Sequence, residues 1–156
     1  MDEAHTQHKQ KTADELVLLA DTVANHLGTN PDDIELQKLR SDSKKDIDAE
    51  RESLRKHVKG MAKTGIDIFA RRIQGVWEEW YPFADERTLD ALSNLGFKAN
   101  ESSLVDFVKE NWEKLDTKSL RGSKEEKQRH VFVKILERAV GAELEGNVAE
   151  IRQAIV

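Results

Sequence analysis

Apolar residues in this chain recur at steps of three and four, and nowhere do they alternate with polar ones long enough to make a strand. That pattern restricts the chain to helices and leaves only their breaks to be found. Thr12 and Glu15 have the spacing of a capping box. They predict a first helix to about His26, with Leu16, Leu19, Val23 and Leu27 on one face and Gly28 closing it in the left-handed region. Residues 1–11 read as a flexible tail. Asn30 and Pro31 are expected to open a second, very polar helix marked by Ile34, Leu36 and Leu39. Ser41, Asp42 and Ser43 weaken it, and Ser43 with Asp46 can cap a restart carrying Ile47, Leu54, Val58 and Met61. A stripe this narrow suits a helix packed on one partner. Residues 12–63 are therefore expected to be a charged hairpin or arm, a candidate homodimer contact, with a second break between Gly60 and Gly65.

The composition changes at Thr64. Ile66, Phe69, Ile73, Val76, Trp77 and Trp80 fall on one face of a helix predicted to end before Pro82. Three more helices are expected at about 85–94, 102–115 and 123–140, the last opened by a Ser123–Glu126 capping box. A short one follows at 148–155, with Gly96, Gly122 and Gly141 as punctuation. The fold class that follows is all-α, an N-terminal arm before a compact bundle of about five helices in residues 64–156.

With no cysteine, the chain can build no disulfide, thiolate nucleophile or Cys-based zinc site. Its five histidines are scattered; only His5 and His8 stand three apart, in the tail, so no metal and no cofactor is expected. The first residues are polar, without the apolar core of a signal peptide. The run Leu16–Ala20 is far short of the roughly 20 residues that cross a bilayer. A cytoplasmic chain without membrane contact is the expectation. Adjacent carboxylates such as Glu78 and Glu79 diverge by about 100° on a helix, and neither a Gly-rich phosphate loop nor a nucleophile elbow is present. The chain therefore reads as a non-enzyme.

Charge suggests where it could bind. Residues 51–74 hold seven basic residues (Arg51, Arg55, Lys56, Lys59, Lys63, Arg71, Arg72) against two acidic ones. Residues 118–138 hold seven more, Lys124, Lys127, Arg129, Lys134 and Arg138 among them, against three. Such clusters are what phosphate contacts require, although the net charge of −5 opposes nucleic acid as a partner. The helix–Gly–helix element around Leu95, Gly96 and Phe97 imitates a helix-turn-helix, but its second helix is acidic (Glu101, Asp106, Glu110, Glu113). Trp80, Tyr81 and Phe83, at a helix end, are the aromatic candidates for anchoring a protein or ribonucleoprotein partner.

Two resemblances bear on these readings. Arg51 and His57 form an R-x5-H spacing that resembles the element of the HEPN helical ribonucleases. It would imply RNA cleavage by a dimer, with His57 as acid or base and Arg51 stabilising phosphorane charge; Glu52 departs from the polar residue usual after the arginine. The segments Leu19-Ala20-Asp21-Thr22-Val23 and Glu35-Leu36-Gln37-Lys38-Leu39-Arg40-Ser41, with His5-Thr6, are similar to the ElaB/YqjD-type bacterial stress proteins of the DUF883 group, over about 55 residues. That likeness implies association with a ribosome or other large assembly. The group's Gly-rich membrane anchor has no counterpart, since residues 64–156 stand in its place.

Overall fold

A computed structural model describes the backbone of residues 2–155 except Pro31 and Ile34, and side chains from Lys9 to Ala154 with the same two exceptions. The expected roles of Pro31, Ile34, His5 and His8 thus lie outside the described residues. The described chain is all-α, with no strand: α1 (Asp2–Thr22), α2 (Gln37–Asp42), α3 (Ile47–His57), α4 (Lys63–Ile73), α5 (Glu86–Asn94), α6 (Glu101–Glu110), α7 (Lys124–Glu145) and α8 (Val148–Ile155). It divides into two compact units, residues 1–66 and 67–156, the boundary falling inside α4.

In the first unit, α1 begins at Asp2 instead of Thr12, so the Thr12–Glu15 pair lies inside a helix that runs through the expected tail. The helix loosens into a π-turn over Val23–Leu27, and the chain leaves through Gly28. Gly28 is extended rather than left-handed (φ −98°), and glycine is favoured there by crowding. A Cβ would lie 3.0 Å from the Val23 carbonyl oxygen and 3.1 Å from that of Asn30. No second helix starts at Asn30. The Asp33 carboxylate instead gathers a loop by accepting hydrogen bonds from Thr29 N (2.8 Å), Thr29 Oγ1 (3.1 Å), Glu35 N (3.1 Å) and Gln37 N (2.9 Å). These bonds favour the charged form and hold its pKa below the ordinary carboxylate value, although burial opposes them. The break after Asp42 does occur, with Lys44 and Lys45 at positive φ. Asp46 rather than Ser43 caps α3, its side chain accepting from Ala49 N at 2.9 Å. Among the described residues Leu27, Leu39, Leu54 and Ile66 form the buried apolar set of this unit, alongside the polar Thr22, Asp33 and Glu50.

The second unit has the larger core. Leu92 of α5, Leu104 of α6, and Phe132 and Leu136 of α7 are fully or almost fully buried, with Ala84, Ala91, Ala139 and Val140 between them. Each large side chain removed from water contributes about 1.5–3 kcal/mol. The helix expected to reach Trp80 stops at Ile73, which leaves Val76 exposed, and a 3₁₀ turn holds Glu78–Trp80. Gln74, wholly buried, secures the break. Its amide nitrogen donates to the Arg71 and Phe83 carbonyls (2.9 and 2.8 Å), and its oxygen accepts from Phe83 N (2.9 Å). Trp77 and Trp80 then meet Phe69 edge-to-face, at ring centroids 5.6 and 6.2 Å apart. The Ser123–Glu126 capping box forms as expected. Helix α7 runs past Gly141 to Glu145, however, and ends at Gly146 in the left-handed region (φ 74°).

Candidate functional site

Burial divides the candidate residues. Trp80 is 2% exposed, so it belongs to the core and offers nothing to a partner at the surface. Tyr81 is half-buried, edge-on to Phe132 at 5.1 Å; burial pushes its phenol up, partly offset by the charge of Arg129. Phe83 is half-buried too, its backbone held by Gln74.

The basic stretch 51–74 is divided between the two units. Arg51 is half-buried, Arg55 pairs with Glu52 at 2.7 Å, and Lys56, Lys59 and Lys63 are exposed, all in the first unit. Arg71 and Arg72 belong to the second. Arg71 is buried, its Nε donating to Glu137 (2.6 Å) and its Nη1 to Asp85 (3.0 Å) and Thr88 (3.1 Å). Arg72 reaches the other Glu137 oxygen at 3.0 Å. Asp85 also caps α5, accepting from Thr88 N and Oγ1. These groups join α4, α5 and α7 and are structural.

Helix α7 sorts its own cations. At 100° per residue, Lys127, Lys134 and Arg138 lie within about 40° of one another, opposite the buried Phe132, Leu136 and Ala139. Lys134 and Arg138 are exposed and Lys127 half-buried. Arg129 lies off this line, half-buried, with an Nε that has no partner among the described residues. Lys124 stands 6.0 Å from the Trp112 ring centroid.

Arg51 and His57, six residues apart on α3, are turned about 120° from each other. The His57 ring is otherwise engaged: Nδ1 lies 2.9 Å from the Ser53 carbonyl, and the ring stacks on His26 at 5.2 Å. Lone pairs lie in the ring planes, so parallel rings do not aim nitrogens at a common point. Among the described residues no group of three or more His, Asp or Glu converges as a metal site.

Residue spacing did not reveal a recess in the second unit. Where α5 turns into α6, Gly96 (φ 91°) sends the chain back, and Leu95, Phe97, Leu104 and Phe107 floor an open hollow of about 680 Å³. Phe97 and Phe107 stand edge-to-face at 5.1 Å. Asn100 caps α6 through Ser103 N at 2.8 Å and so fixes the helix that carries Phe107. Lys98, Ser103, Asp106 and Glu110 form the rim. The sequence signal for it is the pair Phe97, just after Gly96, and Phe107 within α6, a segment whose spacing by itself only imitates a helix-turn-helix. Comparison with protein-family models, curated proteins and solved structures returns no match.

Proposed function

We propose that the chain is a non-enzymatic helical interaction module, a regulator or adaptor that holds a segment of a larger protein or ribonucleoprotein in the hollow at the α5–α6 turn. The hollow carries this reading: an open apolar floor with two aromatic rings, and polar groups confined to the rim. Concave sites of this kind take an apolar side of a helix or short segment, and rim charges set orientation more than affinity. Asp106 and Glu110 on α6 favour a segment with basic flanking residues. A ribosome-like assembly is the partner class to which the N-terminal likeness tilts the proposal.

The test is capture from host extract with mass spectrometry, comparing wild type with Asp106→Lys/Glu110→Lys, both exposed positions. A partner held by wild type should be lost in the variant. Unchanged capture sinks the reading.

One observation supports a second reading, nucleic-acid binding. The α7 line of Lys127, Lys134 and Arg138 spans about 16 Å of helix with no acidic partner among the described residues. Binding through it would weaken steeply with salt and shallow its slope in Lys134→Glu. The Arg71 and Arg72 side chains, already engaged by Glu137, are not part of that line.

A further inference from the structure

The rim charges of the hollow at the α5–α6 turn are unevenly placed. Asp106 and Glu110 are exposed and stand one turn apart on α6, about 6 Å along its axis. Their carboxylates make no hydrogen bond or ion pair among the described residues. Lys109 lies between them in sequence but is turned about 160° from Phe107, away from the hollow. On the turn side the rim carries Lys98. We propose that the occupant of the hollow is a short amphipathic helix whose apolar stripe is flanked by two cations one turn apart. This rests on the hollow-centred reading and adds the occupant's conformation and charge pattern.

Conformation follows from what lies beneath. The floor is made of the Leu95, Phe97, Leu104 and Phe107 side chains. The amides of the turn are already spent: Leu95 N donates to the Ala91 carbonyl (3.1 Å), Gly96 N to that of Ser93 (2.9 Å) and Phe97 N to that of Leu92 (3.0 Å). An extended segment laid here would bury its own N–H and C=O groups against apolar carbon, at about 1–3 kcal/mol for each one left unpaired. A helix satisfies those groups internally and lays side chains at i, i+3, i+4 and i+7 on an apolar surface. Charge then sets the flank. Cations four residues apart on a helix lying along α6 rise by the same distance as Asp106 and Glu110, so each meets one carboxylate. Exposed pairs of this kind select the partner and speed its encounter more than they hold it. A phosphate-bearing strand would meet the same carboxylates as repulsion.

The probes are fluorescent alanine-based peptides of about 16 residues, long enough to form a helix, titrated with the full chain and read by anisotropy. The first carries leucines along one stripe and two lysines a turn apart beside it. In the second the lysines are moved to the face opposite the leucines. In the third glutamates replace the lysines, and in the fourth prolines replace two central alanines. Wild type should bind the first several-fold tighter than the second and about tenfold tighter than the third and the fourth. Asp106→Lys/Glu110→Lys, changed at two exposed positions, should reverse the preference between the first and the third. Equal binding of the first two peptides would reduce the effect to bulk charge, and equal binding of the proline peptide would remove the helix. Either overturns the proposal, as does a charge-reversed variant that keeps the wild-type preference. No peptide bound, while wild type captures from extract a partner that the charge-reversed variant loses, overturns the helical occupant and leaves the hollow reading in place. No peptide bound and capture unchanged in that variant overturns both.

Discussion

At the scale of the residue, the second unit rests on the guanidinium of Arg71, which satisfies the carboxylates of Asp85 and Glu137 and the Thr88 hydroxyl in a site its own side chain fills to 6% exposure. Removing one member of a buried pair leaves the others uncompensated, which costs about 3–5 kcal/mol. Arg71→Met is therefore expected to lower the urea midpoint read by tryptophan fluorescence severely. Arg72→Ala, whose side chain is 63% exposed, should cost under about 1 kcal/mol. Equal effects would show that Arg71 is not the organising charge. The same cluster sets an acid limit. Burial raises the Glu137 pKa, but hydrogen bonds from Arg72 and Arg71 and their charges outweigh it, so the folded value lies below the ordinary 4.5. A depressed carboxylate contributes stability that is full above the unfolded value and is lost as pH falls through the folded one. Wild type should therefore lose stability below about pH 4.5 more steeply than Glu137→Gln, compared as urea midpoints across that range. Parallel pH curves would remove Glu137 from the acid limit.

At the scale of the element, two glycines in α7 separate a helix interior from a helix end. Gly141 lies within the helix, and a Cβ there would meet nothing within 4 Å. Gly141→Ala is expected to stabilise by about 0.5–1 kcal/mol. Gly146 is equally open but left-handed, so Gly146→Ala should destabilise by about 1 kcal/mol or more. Thermal midpoints of opposite sign test the pair; a shared sign would mean α7 does not end where described. The same contrast shows what the sequence could tell. Capping chemistry was legible at Ser123–Glu126 because both halves of the box are local. Gly141 reads as a stop because composition cannot distinguish a glycine within a helix from one beyond its end. The halt of α4 at Ile73 was hidden for a related reason: it depends on Gln74 reaching Phe83 nine residues on, a contact no periodicity encodes. Trp80 as an anchor failed in the same way, since Phe69 covers it from the preceding helix. The hollow at Phe97 and Phe107 needed the turn geometry at Gly96 before two half-buried rings became one surface.

At the scale of the whole molecule, the two units differ in what holds them. Leu27, Leu39 and Leu54 are the large apolar side chains buried within residues 1–60, and they share that interior with Glu50 and Asp33. Single cores of that size rarely net more than about 3–5 kcal/mol, so the first unit is expected to be the less stable of the two. Residues 67–156 bury two tryptophans, Phe132, Leu92, Leu104 and Leu136, together with the Arg71 cluster. All three tryptophans, Trp77, Trp80 and Trp112, belong to this second unit, so their fluorescence follows it alone, while far-ultraviolet circular dichroism follows both. In urea, helix content should begin to fall before tryptophan fluorescence changes, and non-coincident transitions are the signature of units that do not unfold together. Coincident transitions would show that the units unfold as one.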